Sequence, residues 1–373
     1  MTDGKRLRVL VVDDTIVFRK IVSDVLSELS DIEVVGTANN GKIALSRISL
    51  LQPDLLILDI EMPEMNGLEV LEQIRKEFPN VGAIVLSTLT QKGGDITLKA
   101  LELGAFDFIP KPQDGTMADN RKTISSALTP MMKAFSRHKE IRSILKGETS
   151  HQSEKSMTRK KIIDSAGVVK RMRSIARKAG IKSEIVGIGV STGGPNALAE
   201  MLPRLPSNLG APVLIVQHMP PIFTKSLANS LNSKCSMEVR EAVDGQTIHD
   251  NTVLIAPGGK QMKVVAAADG KTRIVRITND PPEHNCRPSV DYLFRSIAQH
   301  YVGRATGVIM TGMGSDGALG SKLMKRNGAT VIAQDEMTSV VYGMPRETID
   351  AGVVDVIAPL NRIADEIVRT VKN

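Results

Sequence analysis

Glu184-Ile-Val-Gly-Ile-Gly-Val-Ser-Thr-Gly-Gly-Pro195 is the stretch on which the reading of this chain turns. An apolar run ends in Ser191, with Gly189 before it and Gly193 and Gly194 after it. The following Asn196-Ala-Leu-Ala-Glu-Met-Leu202 has the composition of a helix. A strand, a glycine turn carrying a serine and a helix predict a hydroxyl at the end of a sheet in an α/β layer. The spacing Gly189-x-Ser191-x-Gly193 fits a nucleophile elbow, where small neighbours permit a strained turn. A glycine-rich strand-to-helix turn also suits a phosphate. The turn alone leaves both open.

Outward from this turn, 373 residues suffice for about two domains of ~150 residues, each with its own core. No apolar run approaches the ~20 residues that span a bilayer, and Met1-Thr-Asp-Gly-Lys-Arg-Leu-Arg-Val-Leu10 leads directly into a strand. The expectation is a cytoplasmic protein without a signal peptide. Cys235 and Cys286 are too few for a disulfide framework and lack zinc-ligand spacing, so both are read as free thiols. The net charge of +7 is uneven: residues 1–132 carry 14 Lys and Arg against 19 Asp and Glu, and residues 133–182 carry 15 against 4. That basic middle segment has almost no aromatic residue on which a base could stack, which argues against nucleic acid and for a linker.

Residues 1–132 alternate apolar runs with amphipathic segments, the pattern of a doubly wound parallel sheet. Expected strands at Leu7–Val12, Ile32–Val35, Leu55–Leu58, Ala83–Thr88 and Phe106–Ile109 end near Asp13-Asp14, Asp59, Thr88 and Lys111. Sites in such sheets form at the carboxyl ends of the strands. Three carboxylates gathered there repel one another unless a hard divalent cation compensates, and oxygen ligands suit Mg2+. Thr88 offers a hydroxyl and Lys111 a compact positive charge, both useful for holding a phosphoryl group.

Val12-Asp13-Asp14, Leu58-Asp59-Ile-Glu-Met-Pro63, Asn66-Gly67, Ser87-Thr88 and Pro110-Lys111-Pro112 together resemble the response-regulator receiver domain. The resemblance implies Asp59 as phosphoacceptor, Asp14 and Asp59 as Mg2+ ligands, and Asp13 as a ligand through water. It also implies Thr88 and Lys111 as the switch pair. Residues 133–182 are then a basic, partly flexible linker, serine- and charge-rich between Gly147 and Ser156, with a short helix expected near 168–179.

Residues 183–373 alternate strands and helices again, with a β-hairpin expected across Ala268-Asp-Gly270. Three expected strand ends present Ser191, His218 and Asp316. These are the parts of acyl-transfer chemistry: a hydroxyl nucleophile, an imidazole that takes its proton and a carboxylate that orients the imidazole. His249 and His300 sit in a turn and a helix, whereas His218 directly follows a buried strand. The order Ser…His…Asp differs from the Ser…Asp…His of α/β-hydrolases. The residues alone still allow three unconnected strand-end side chains.

Gly189-Val-Ser-Thr-Gly-Gly-Pro195, Gln217-His-Met-Pro-Pro221, Ile255-Ala-Pro-Gly258-Gly259, Arg287-Pro-Ser-Val-Asp291, Thr311-Gly-Met-Gly-Ser-Asp-Gly317 and Val341-Tyr-Gly-Met-Pro-Arg346 resemble the catalytic domain of chemotaxis protein-glutamate methylesterases. That resemblance implies Ser191 as nucleophile, His218 as general base and acid, Asp316 as orienter, and oxyanion support at Thr192 and Met313. It implies no cofactor for the ester chemistry. Its substrate is methylated glutamate on the cytoplasmic helices of chemoreceptors, with glutamine deamidation as a sister reaction and a chemotaxis histidine kinase as phosphodonor. It further implies that the unphosphorylated receiver covers the catalytic mouth. A nucleotide-binding output domain is disfavoured by the G-x-G-x-x-x-G spacing and by Gln217-His218 where a ribose-binding acid belongs. A DNA-binding output is disfavoured because about 190 residues of strand and helix follow the linker without a helix-turn-helix pattern.

Overall fold

The computed structural model describes residues 6–113, 115–145 and 182–372, and the chain packs as two units that divide between Glu140 and Ile141. In the first, β1 (Leu7–Val12), β2 (Ile32–Ala38), β3 (Leu55–Asp59), β4 (Gly82–Ser87) and β5 (Asp107–Pro110) form a parallel sheet in the order β2-β1-β3-β4-β5. Strands β1 and β3 are fully apolar where they pair, Val9 opposite Leu55 and Val12 opposite Leu58, because helices cover both faces. The strand order reverses between β1 and β3, which brings Asp13 and Asp59 together at the switch point.

Five helices cover this sheet: α1 (Ile16–Ser27), α2 (Gly41–Leu51), α3 (Gly67–Glu77), α4 (Gln91–Glu102) and α5 (Met117–Leu145). Residues 133–145, read above as the start of the linker, are the end of α5. The reason is packing: Phe135 is buried edge-on against Phe106, with ring centroids 5.2 Å apart, and Lys139 pairs with Asp54 at 2.5 Å. The expected helix near 168–179 lies outside the described residues.

The second unit is built on a seven-stranded parallel sheet. Its strands are β6 (Ile185–Val190), β7 (Val213–Gln217), β8 (Glu238–Glu241), β9 (Thr252–Ile255), β12 (Ala305–Ile309), β13 (Thr330–Gln334) and β14 (Val356–Ala358). The order is β14-β13-β12-β6-β7-β9-β8. The expected hairpin is present as β10 (Gln261–Ala266) and β11 (Arg273–Thr278). The helices are α6 (Gly194–Met201), α7 (Phe223–Asn232), α8 (Val290–His300), α9 (Ala318–Arg326), α10 (Met344–Asp350) and α11 (Leu360–Lys372). No described helix is long and apolar enough to cross a membrane.

Strand β6 is central, and its glycines have a packing cause. Ile185, Gly187 and Gly189 alternate along one face, over which α8 lies. A Cβ on Gly187 would meet Ile297 at 2.8 Å and Phe294 at 2.9 Å, and one on Gly189 would collide with Val290. The glycines therefore let a helix approach the sheet, which accounts for the Gly-x-Gly pattern without a phosphate. From β6 the sheet grows to one side through β7 and to the other through β12, so the strand carrying Ser191 stands beside the switch point.

Candidate active site

Ser191 follows β6, His218 follows β7, and Asp316 lies in the loop between β12 and α9, so three adjacent strands β12-β6-β7 supply all three groups at one edge. The registers Gly189 opposite Ile309 and Val190 opposite Gln217 align the strand ends, and His218 N donates to Val190 O at 3.1 Å. His218 Nε2 lies 2.8 Å from Asp316 Oδ2. Ser191 and His218 make no hydrogen bond to each other among the described residues; the second ring nitrogen, Nδ1, faces Cys286 Sγ at 3.7 Å.

Asp316 is 2 % exposed, and every group that meets it is a donor. Ser289 Oγ (2.9 Å) and Asp291 N (2.9 Å) donate to Oδ1, and Val290 N (2.7 Å) donates to Oδ2 beside His218. Two of these are backbone N–H groups of the first turn of α8, which carry the partial positive charge of a helix start. Burial pushes the carboxyl up, but the His218 bond, the charge of His218 and these N–H groups outweigh it and hold Asp316 below the usual carboxylate range. Burial lowers the pKa of His218, whereas its bonds to Asp316 and Cys286 raise it, and the balance holds the imidazole up at about 9.

The turn that carries Ser191 is held from three sides. Ser191 N donates to Thr311 O at 3.0 Å, Gln217 Nε2 donates to Ser191 O at 3.0 Å, and Gly194 N donates to Ser191 O at 2.8 Å. Gly193 takes φ +74°, where a side chain would also strike Val340 at 2.6 Å. Thr311 bridges the two loops: its hydroxyl donates to Thr192 O at 2.9 Å and its N–H donates to Gln334 Oε1 at 2.8 Å. A Cβ on Gly312 would meet Ser191 Cβ at 2.8 Å, so the loop bearing Met313 runs directly past the serine. The backbone N–H groups of Thr192 and Met313 donate to no group among the described residues.

The first unit gathers its own set. Lys111 Nζ lies 2.7 Å from Asp13 Oδ2 and 2.6 Å from Asp59 Oδ2, and Asp13 and Asp59 are both buried. Burial raises the Asp59 pKa, Lys111 lowers it and Asp13 raises it, leaving it at about 6. Asp13, exposed Asp14 and Asp59 each offer an oxygen within 4.8 Å of the others, a hard-donor set that fits a divalent cation such as Mg2+. Thr88, just beyond β4, donates from Oγ1 to Glu61 Oε2 at 3.2 Å. Gly67 lets α3 start against the end of β3, since a Cβ there would collide with Asp59 O.

A family model described as CheB methylesterase matches residues 186–367, and one described as response regulator receiver domain matches residues 9–120. A protein-glutamate methylesterase/protein-glutamine glutaminase of Desulfotalea psychrophila is 55% identical over 369 residues, 99% of this chain and 99% of that one. The chain belongs to the CheB family of receiver-linked methylesterases. A protein of the same description from Trichodesmium erythraeum is 41% identical over 98% of this chain and 99% of its own length. The crystal structure of the Thermotoga maritima CheB methylesterase catalytic domain matches 51% of this chain and 99% of that one at 40% identity, with a TM-score of 0.49.

Four members of the catalytic edge escaped the sequence reading. The sequence marks Cys286 only as a free thiol and gives His284 no role, and Ser289 and Asp291 stand in a quoted motif without one. In the structure His284 Nε2 pairs with Asp291 Oδ2 at 3.0 Å, and Asp291 Oδ1 accepts from Gly317 N (3.0 Å) and Gly320 N (2.6 Å). The one available signal was Ser289 just before the amphipathic helix, a residue type that caps helix starts.

Proposed function

We propose that Ser191, His218 and Asp316 carry out the hydrolysis of glutamate methyl esters in this chain, under the control of phosphorylation at Asp59. The observation that carries the reading is the 2.8 Å pairing of His218 Nε2 with Asp316 Oδ2 on strands flanking the one that ends in Ser191. With Nε2 committed to Asp316, Nδ1 is the nitrogen that serves the serine. The Ser191 hydroxyl attacks the ester carbonyl as Nδ1 takes its proton, and the resulting oxyanion is met by the N–H groups of Thr192 and Met313. Nδ1–H then protonates the departing methoxide to give methanol. Water, deprotonated by Nδ1, attacks the acyl-enzyme and frees glutamate. In glutamine deamidation the same steps release ammonia. The absence of a Ser191–His218 bond is compatible with this role, because nucleophile and base commonly close up only when substrate is bound.

The substrates are methylated glutamates on the cytoplasmic helices of chemoreceptors, and the phosphodonor is a chemotaxis histidine kinase. Asp13, Asp14 and Asp59 would hold Mg2+, which when bound neutralises charge on the incoming phosphoryl group. Asp59 accepts the phosphoryl group, Lys111 balances its charge, and Thr88 responds to it as the switch partner. Methanol release from methylated receptor membranes tests the whole scheme. It should rise with acetyl phosphate and Mg2+, lose that response in Asp59→Asn, and vanish in Ser191→Ala. Release at the parent rate from Ser191→Ala would refute the assignment.

A further inference from the structure

Cys286 occupies a position that ester hydrolysis does not explain. It closes the turn 283–286, in which Cys286 N donates to Glu283 O at 2.7 Å and Glu283 N donates to Cys286 O at 3.1 Å. His284 and Asn285 at its tip both take positive φ, 51° and 60°, a costly conformation outside glycine. That turn carries the thiol to 3.7 Å from His218 Nδ1, the nitrogen on which the reaction depends. The thiol helps to raise the pKa of His218 but supplies no group to any step of the serine mechanism.

Three features of this contact match a thiophilic metal. The first is distance. With Zn–N near 2.0–2.1 Å and Zn–S near 2.3 Å, a tetrahedral ion sets its nitrogen and sulfur ligands roughly 3.5–3.6 Å apart. The observed 3.7 Å needs almost no movement. The second is what stands behind the imidazole. Metal-binding histidines hold their other ring nitrogen against a carboxylate, which fixes the ring and its tautomer. Asp316 does this to Nε2 at 2.8 Å, so Nδ1 is the nitrogen that can ligate once its proton has left. Asp316 itself is saturated by Ser289, Val290 and Asp291, so it supports the ligand rather than acting as one. The third is access: the His218 side chain is 12% exposed and Cys286 is half-buried, whereas Asp316 is closed off.

We propose that His218 Nδ1 and Cys286 Sγ form an inhibitory binding site for a thiophilic divalent cation of the Zn2+ class. The proposal rests on the reading of Nδ1 as the base for Ser191. Binding takes the thiolate of Cys286 and the neutral imidazole, so the thiol proton, and the imidazole proton where present, leave to solvent. The cation then occupies the lone pair that the Ser191 proton requires, and metal binding and hydrolysis exclude each other. Two protein ligands leave the other coordination positions to water, which makes the site reversible rather than structural.

The test uses metal-free full-length protein and two readouts. Co2+ should produce a thiolate-to-metal absorption band in the parent, in Cys235→Ser and in Ser191→Ala, but not in Cys286→Ser; the receiver carboxylates contain no sulfur and cannot give it. Methanol release from the parent should fall with buffered free Zn2+ and recover on chelation. In Cys286→Ser the Zn2+ needed for half-inhibition, relative to that variant's own metal-free rate, should rise by about ten-fold or more. No band in the parent, or equal Zn2+ sensitivity in Cys286→Ser, would overturn the proposal. If the band forms but His218 proves dispensable for hydrolysis, the catalytic reading fails and the metal site stands. An absent band with an intact triad sinks the metal site alone.

Discussion

Asp316 and Asp291 cap each other's helices. Asp316, two residues before α9, accepts from the first N–H groups of α8, while Asp291, in the first turn of α8, accepts from Gly317 N and Gly320 N at the start of α9. Each carboxylate also holds a histidine through Oδ2: Asp316 holds His218 at 2.8 Å and Asp291 holds His284 at 3.0 Å. The two helix starts therefore lock together, and Asp316 is fixed by the same bonds that join them.

The first consequence concerns Asp316. Its neighbours Ser289, Val290, Asp291 and His218 all present donors, so Asp316→Asn must turn an amide NH2 against at least one N–H or O–H. The kcat for methanol release should drop on the order of 10³–10⁴-fold, the scale seen when a triad carboxylate becomes an amide. Steady-state kinetics on methylated receptor membranes will show it; a loss below ten-fold would contradict the orienting role.

Asp291 acts on the reaction only through Asp316 and its loop. Asp291→Ala removes the acceptor for Gly317 N and Gly320 N and lets the 312–317 loop shift, so kcat should fall by about 10²-fold with little change in KM. Asp291→Asn, which can keep one acceptor oxygen on the α9 N–H groups, should retain more activity than the alanine variant. Equal losses in both would show that the cap does not govern the effect.

The pH dependence follows from His218. Its pKa is raised to about 9, so the neutral base form appears only as pH rises through that value. The kcat/KM should accordingly climb by about ten-fold per pH unit on the acid side and level off near pH 9. Cys286 is one of the groups that raise this pKa, so Cys286→Ala should move the limb to lower pH. An unmoved limb in that variant would exclude Cys286 as a contributor.

The receiver site has the same sign at a lower pH. Asp59 is held at about 6, and its carboxylate, the form that accepts a phosphoryl group, is lost as pH falls below that value. Phosphorylation by acetyl phosphate at limiting Mg2+ should decline through pH 6, and saturating Mg2+ should shift the midpoint lower because the cation favours the ionised form. A flat rate between pH 5 and pH 7 would go against burial as the cause of the shift.

Gly189→Ala tests the helix-to-sheet approach. The added methyl would meet Val290 in a closely packed layer, and overpacking of this kind costs about 1–3 kcal/mol. Calorimetry on the full chain should show the transition of the second unit lowered and that of the first unchanged.

Much of this architecture was legible in the sequence because strand ends are local events. Apolar runs broken by Asp13, Asp59, Ser191 and His218 mark where a chain leaves a buried sheet, and the carboxyl ends of parallel strands share one edge whatever their order. Asp316 lies past another expected strand end in the same way. Strand order was not legible: β12 lies beside β6, more than a hundred residues apart in the chain, and periodicity says nothing about which distant strand becomes a neighbour. The role of Gly187 and Gly189 was equally hidden, since it depends on which helix lies over β6. The end of α5 was read as linker because Phe135 and Lys139 find their partners, Phe106 and Asp54, only in the folded sheet.

The sequence by itself determined two α/β units with Asp13, Asp59, Ser191 and His218 near strand ends, and its motifs carry the resemblance to a receiver and a methylesterase. Only the tertiary structure decided that Asp291 steadies Asp316, that His218 Nε2 rather than Nδ1 meets it, and that Cys286 stands at the remaining nitrogen. These are contacts between residues 25 to 98 positions apart, set by how α8 and α9 pack against the sheet.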